Sequence, residues 1–248
     1  MPWSGALAVD DGALCYLGSL AYACGHHHVA TQLIRAWSGS FELTDAQGRQ
    51  CVGTAAIIPS GCHHSIRIVE PCSGFLLFVD PRTVVGKQLS TMADGTDDVR
   101  RWFAAGEVLQ NWTQAEFPFP AELLAKLKGS LSAATELGHD NLHRSLHAAV
   151  ELISQRLPEP VTLGEIATGV ALSPSRLSRL FRDQLGQSFP AYVRWTRLRL
   201  AIDALRVGAS LTDAAHAAGF TDSAHANRVC HEMFGLSPTQ ASGQLVWA

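Results

Sequence analysis

The stretch Leu163–Gly186, LGEIATGVALSPSRLSRLFRDQLG, returns at Leu211–Gly235 as LTDAAHAAGFTDSAHANRVCHEMFG. In the first copy Leu163, Ile166, Ala167 and Val170 recur at three-and-four spacing, which predicts an amphipathic helix, and Gly169 and Ala171 keep the turn side thin. Ser173 followed by Pro174 predicts a second helix there, because Ser caps free backbone donors and Pro at the first position has none to lose. On that helix Leu177, Leu180, Phe181 and Leu185 make the inner stripe, and Ser175, Arg176, Ser178, Arg179 and Arg182 fall on the remaining surface until Gly186 ends it.

In the second copy Ala214, Ala215 and Ala218 stand 48 positions after Ile166, Ala167 and Val170, whereas Gly235 and Ser237 stand 49 after Gly186 and Ser188, so the turn has gained one residue. Thr221 or Asp222 caps its second helix. The inner face there is Ala226, Val229, Cys230, Met233 and Phe234, leaving Ser223, Ala224, Asn227, Arg228 and His231 outward. Between the copies Pro190 opens a helix carrying Trp195, Leu198, Ile202 and Leu205. Two helix-turn-helix units held by a rod can place two helices in successive major grooves, roughly 34 Å apart.

The string Ser173–Gly186, with Tyr192, Arg197, Leu198, Ala201, Leu205, Ala215, Gly219-Phe220-Thr221-Asp222-Ser223, Arg228 and Gly235-Leu236-Ser237-Pro238, resembles the DNA-binding domain of AraC/XylS-type transcription regulators over about Asn141 to Gly243. The resemblance implies that Ser175, Ser178, Arg179, Ser223, Ala224, Asn227 and Arg228 face DNA. Arg179 has the chemistry for bidentate pairing with guanine and Asn227 for adenine. Arg176, Arg182, Arg194 and Arg199 suit phosphates, which supply affinity without sequence information. The chain departs from the family at Ala226 and Cys230, where large apolar residues are usual, and at Ala241-Ser242-Gly243 after the final Pro. The expectation is a softer second unit, with the first carrying most of the discrimination.

The first half reads differently. Short apolar runs broken by Gly, Pro, Asp and Ser, at Leu14–Leu17, Val29–Trp37, Ser40–Leu43, Cys51–Ile58, Ser65–Val69 and Phe75–Val79, predict the strands of a small barrel or double-sheet roll. His26, His28 and Gln32 followed by Gly39, then Gly53, Pro59, Gly61 and His64, resemble the two motifs of cupins, with Gln32 where metal cupins commonly have Glu and Ile68 where they commonly have Asn. In a metal-binding cupin the two alternate histidines would share a strand face with His64 beside them, and neutral imidazoles suit zinc, nickel, copper or iron. His27, His63, Cys24 and Cys62 crowd the same segments, so a thiolate-containing site is a variant. The other reading is a pocket for an organic effector with no ion.

Val99, Trp102, Phe103, Val108 and Leu109, then Leu123, Leu124, Leu127 and Leu131, predict two amphipathic helices either side of Phe117-Pro118-Phe119-Pro120. They are expected to form a hairpin, either dimerising or packing on their own barrel. The division expected is a barrel over 1–95, a helical hairpin over 96–138 and an all-α double helix-turn-helix over 139–248, an α+β chain of two domains.

Charge fits that division. Residues 1–138 hold nine basic and 13 acidic side chains, and 139–248 hold ten arginines against nine acidic residues. The asymmetry is mild, so nucleic-acid affinity must come from placed arginines rather than from bulk charge. Six cysteines without framework spacing and the absence of a long apolar run or a leader-like start give a cytoplasmic expectation, with no membrane partner. The expected function is a sequence-specific transcription regulator, not an enzyme, with a double-stranded operator, a small-molecule or metal effector, a second copy of the chain and RNA polymerase as partners. The alternative is a metal-dependent cupin enzyme fused to a DNA-binding tail.

Overall fold

The computed structural model describes residues 3–10, 12–81, 83–135, 143–235, 237 and 245–247. The chain divides into two compact units, Met1–His139 together with Phe234–Ala248, and Asp140–Met233. The first is sheet-rich and the second helical, which is the α+β class the sequence predicts.

In the first unit β1 (Ser4–Asp10), β2 (Ala13–Ser19), β3 (Ala23–His26), β4 (Thr31–Asp45), β5 (Gln50–Gly53), β6 (Ala55–Ile58), β7 (His64–Val79) and β8 (Leu245–Trp247) make one sheet. Its order is β5-β4-β7-β2-β1-β8, with β3 added to β7 and β6 to β4. The pairs Val29–Trp37 with Ser40–Leu43, and Ser65–Val69 with Phe75–Val79, are each one long strand rather than two. β4 and β7 run antiparallel along their length, and register shifts between Ala36 and Phe41 absorb the bend. Gly39 sits at that bend with φ +69°, a conformation glycine adopts freely. The Gly and Ser residues that read as a strand break in sequence are therefore a bulge.

Phe41, Leu43, Ile57, Ile58, Ile66, Phe75 and Leu77 are buried and form the core beside this sheet. Three helices cover it. α1 (Val84–Met92), which the apolar pattern did not reveal, lies against β4, β6 and α3 (Pro120–Thr135). α2 (Val99–Gly106) lies on β4, β5 and β6, close enough that a Cβ at Gly106 would stand 2.5 Å from the Ala55 carbonyl oxygen. α3 lies on β1 and β2.

The expected hairpin is corrected by this arrangement. α2 and α3 pack on different strands of the sheet, and Leu123, Leu124 and Leu127 are buried in their own unit. The reason lies in the connection: Phe117 is buried against Trp37 and Trp112, pinning the chain between the helices to the sheet. The side chain of Leu131 lies outside the described residues. The boundaries 1–95 and 96–138 therefore fall inside one compact unit. Residues from Phe234 onward join it too, because β8 extends the sheet edge in parallel with β1 at Gly5–Leu7.

The second unit contains α4 (Arg144–Arg156), α5 (Leu163–Gly169), α6 (Pro174–Leu185), α7 (Phe189–Arg206), α8 (Leu211–Ala217) and α9 (Ser223–Phe234), the last residue of α9 belonging to the first unit. Short polar caps start almost every helix. Thr162 accepts from Glu165 N at 3.3 Å while Glu165 reaches back to Thr162 N at 2.9 Å, Ser173 accepts from Arg176 N at 3.3 Å, and Ser210 accepts from Asp213 N at 3.1 Å. Asp222, of the two candidates, caps α9 by accepting from His225 N at 2.6 Å. Gly186 at φ +67° ends α6 as expected.

Candidate nucleic-acid interface and a buried histidine cluster

Within the second unit the apolar stripes point inward. Ile166 and Ala167 of α5, Leu177, Leu180, Phe181 and Leu185 of α6, and Tyr192, Trp195 and Leu198 of α7 are buried, with Phe181 ringed by Phe189 and Tyr192 at centroid distances of 5.6 and 5.4 Å. Burying one face fixes the other. Ser175, Arg176, Arg179 and Arg182 are exposed on α6, and Ser178 is half-buried. These side chains share a capped, Gly-terminated helix of twelve residues.

The second copy repeats the scheme with smaller residues. Ala214, Ala215, Ala218 and Phe220 are buried, as are Val229, Cys230 and Met233 of α9, while Ala226 and Phe234 are half-buried. Ser223, Ala224, Asn227, Arg228 and His231 are exposed. Gly219 turns the chain into α9 at φ +77°, and a Cβ there would meet the Pro158 carbonyl oxygen at 2.1 Å. Ala241-Ser242-Gly243 lies outside the described residues.

The rod α7 is less simple than its sequence. Arg194, Arg197 and Arg199 are half-buried, and Arg197 reaches the Glu159 carbonyl oxygen at 3.5 Å. Burial lowers the pKa of Arg197, whose guanidinium thus belongs to the packing of the unit.

In the first unit His26 at the end of β3, His28 in the connection that follows it rather than on a shared strand face, Gln32 of β4 and His64 of β7 come together. All four are buried. One potential ligand atom from each of the three imidazoles lies within 4.8 Å of the others. Each ring is held the same way: His26 Nδ1 lies 2.7 Å from the Cys24 carbonyl oxygen, His28 Nδ1 2.8 Å from that of Ala30, and His64 Nδ1 3.0 Å from that of Cys62. A carbonyl oxygen can only accept, so each neutral ring carries its proton on Nδ1 and presents Nε2 as a lone pair. His28 Nε2 and His64 Nε2 lie 2.8 and 3.0 Å from the end of the Gln32 amide, and because both ring nitrogens accept, it is the amide NH2 that faces them and donates.

Electrostatics keep these rings neutral. Burial first, then the neighbouring His28, pushes His26 down to about 3. Burial likewise lowers His28 and holds His64 well below the usual imidazole range, with His26 and His28 adding to the effect on His64. His28 stands edge-on to Phe78 at 5.1 Å and His64 to Trp102 at 6.2 Å. The backbone anchors and Trp102 were missed in the sequence, although each anchoring carbonyl lies two residues from its histidine.

The thiolate variant of the cluster is not formed. Among the described residues no cysteine or carboxylate joins the group, and Cys24 Sγ donates to the Gly235 carbonyl oxygen at 3.3 Å. Burial, with Asp97 nearby, pushes the Cys62 thiol up to about 12. His27 and His63 are exposed and pair with each other at 6.5 Å between ring centroids.

With this geometry in hand, comparison with known proteins is informative. A family model described as a helix-turn-helix domain matches residues 166–244. The arabinose operon regulatory protein of Escherichia coli is 30% identical over 114 residues, 44% of this chain and 38% of that protein. Residues 166–244 are thus a helix-turn-helix domain. The regulator GlxA of Rhizobium meliloti is 30% identical over 148 residues, 58% of this chain and 41% of that one. The chain thus spans less than half the length of these curated relatives. The fold of the whole resembles ToxT from Vibrio cholerae, with a TM-score of 0.61 at 12% identity over 96% of this chain and 99% of that one. ToxT has also been solved with an unsaturated fatty acid bound. No described helix is long and apolar enough to cross a membrane.

Proposed function

We propose that this chain is a sequence-specific DNA-binding transcription regulator of the AraC type, responsive through its first unit to a metal ion held by His26, His28, His64 and Gln32. The observation that carries the DNA-binding half is the repeated exposure of polar helix faces beside buried stripes, on α6 and again on α9. In this reading Arg179 and Asn227 pair with base edges, Ser175, Ser178, Ser223 and Ala224 lie against the groove, and Arg176, Arg182 and Arg228 hold phosphates. The partners are a double-stranded operator, a second copy of the chain and RNA polymerase.

The metal half rests on the lone pairs. Three imidazoles whose Nδ1 protons are committed to backbone carbonyls direct Nε2 towards one another, the arrangement by which metal-ligating histidines are oriented, with the Gln32 amide against two of them in the ion's absence. Gln32 Oε1 adds an oxygen donor. The set suits zinc, nickel, copper or iron(II), and the ion would supply a fixed positive centre. A fatty acid, the ligand of the ToxT structure, calls for an apolar channel, whereas the groups gathered here are ring nitrogens and an amide. Occupancy shifts the balance between arrangements of the protein only as far as the ion prefers one over another.

The test is twofold. Footprinting of the full chain on genomic fragments is expected to protect discrete sites, and metal analysis is expected to find one ion per chain, lost on His26→Ala with His64→Ala. Protection without sequence preference contradicts the first half, and an ion content unchanged by the substitutions contradicts the second.

A further inference from the structure

Cys24 ties the histidine cluster to the end of a reading helix. Its carbonyl oxygen holds His26 Nδ1 at 2.7 Å, while its backbone N–H and its thiol both donate to the Gly235 carbonyl oxygen, at 3.2 and 3.3 Å. Gly235 follows α9 at φ +67° and is buried, and a Cβ there would stand 2.5 Å from the Cys24 carbonyl oxygen and 2.8 Å from His26 Nδ1. A second link runs beside the first. The ring of Phe234, the last residue of α9, stands edge-on to Phe78 at 5.1 Å, and Phe78 stands edge-on to His28 at 5.1 Å.

Phe234 and Gly235 belong to the first unit, although the rest of α9 belongs to the second. The helix that carries Asn227 and Arg228 is therefore continuous with the wall of the cluster, whereas α6, which carries Arg179, lies entirely in the second unit. The cluster is also more open than a loaded site. Its three ligand atoms spread over as much as 4.8 Å. Metal–nitrogen bonds of about 2.0–2.1 Å in a tetrahedral site set the nitrogens about 3.4 Å apart, so loading draws the rings together. In a close-packed interior His26 and His28 cannot turn inward without pulling on Cys24 and Phe78.

Resting on the metal assignment above, we infer that the C-terminal end of α9 is the output of the cluster: an ion on His26, His28 and His64 reseats Phe234 and Gly235 through Phe78 and Cys24, and so changes operator affinity through the second reading helix rather than the first. By linkage the operator changes the affinity for the ion by the same factor. The weaker reader is thereby the adjustable one.

The experiment uses the full chain, stripped of metal, on the duplex it selects from random sequence. Operator affinity is measured without zinc and at saturating zinc, saturation being set for each protein by titration against a chromophoric chelator. In wild type the two affinities are expected to differ by a factor between about 5 and 150, the range of ordinary coupling between sites. In Cys24→Ala combined with Phe234→Ala, which leaves only the backbone bond to Gly235, the factor is expected to fall towards one. The factor is the readout because a variant that merely weakens zinc or DNA binding shifts both affinities and not their ratio. A melting curve checks that the variant folds. Hydrogen exchange of wild type needs neither variant nor DNA, and zinc is expected to change it in the last turn of α9, Cys230–Phe234, and not in α6.

Zinc that binds wild type without altering operator affinity, or that alters exchange in α6 and not in α9, overturns the inference and leaves the metal assignment standing. A double variant with the wild-type factor overturns the route through Cys24 and Phe78. Failure of zinc to bind wild type, with the fold intact, removes the assignment and the inference with it.

Discussion

At the scale of single residues, His26, His28 and His64 link burial to pH. Burial holds their folded pKa values below that of an unfolded histidine, about 3 for His26. Below about pH 6.5 the unfolded chain therefore takes up protons that the folded one refuses. Stability is complete above that pH and is lost as pH falls from there towards 3. One unit below, the His26 ring costs about 1.4 kcal/mol, and the lowered His28 and His64 act in the same direction. Urea unfolding of metal-free protein should show this loss between pH 7.5 and 5.5, and His26→Asn should shrink it by about 1.4 kcal/mol at the lower pH. An identical pH dependence in the variant contradicts the buried neutral assignment.

The grouping of His26, His28, Gln32 and His64 was legible through the cupin-like pattern, although His28 lies in the connection after β3 and not on a strand face shared with His26. The carbonyl anchors were not, because a backbone oxygen has no letter in the sequence. The crowd of Cys24, Cys62, His27 and His63 was misleading because nearness in sequence does not fix direction: His27 and His63 are exposed, and the thiols of Cys24 and Cys62 donate to the Gly235 and Thr96 carbonyl oxygens.

At the scale of elements, the second unit was legible almost throughout, since caps and apolar stripes are local signals. Ser173 and Ser210 start helices with their own side chains, and replacing Ser173 with Ala should cost about 1 kcal/mol in unfolding free energy, read by chemical denaturation. Gly219 is the stricter position. Its φ of +77° and its closeness to Pro158 mean that Gly219→Ala should destabilise the unit by more than about 1 kcal/mol. Equal stability of Gly219→Ala and wild type in denaturant melts would show that the turn into α9 is not held as described. The strands were harder, because the bulge at Gly39 and the continuity of β7 depend on which partner lies alongside. α1 escaped notice because it is only nine residues long, with Gly86 in its first turn.

At the scale of the molecule, pairing decides what local pattern cannot. The helices of 96–138 read equally well as a free leucine face or as cover for a sheet, and only the burial of Leu123, Leu124 and Leu127 separates the two. β8 was invisible in sequence, as a three-residue strand must be when its partner β1 lies at the other end of the chain. Charge also acts at this scale. With ten arginines against nine acidic residues in 139–248, operator binding should weaken with salt according to the few phosphates held, and Arg182→Ala should reduce the slope of log affinity against log salt by about one. A slope unchanged by that substitution excludes Arg182 from the phosphate contacts.

The central claim is that the exposed face of α6 reads DNA and that α9 does so more weakly. The measurement is a binding titration of wild type, Arg179→Ala and Asn227→Ala on a duplex selected by the full-length protein from random sequence. The predicted result is loss of sequence preference in Arg179→Ala, by about 1–3 kcal/mol for a lost bidentate pair, with a smaller loss in Asn227→Ala. Wild-type discrimination retained by Arg179→Ala, or equal losses in both variants, would contradict the account.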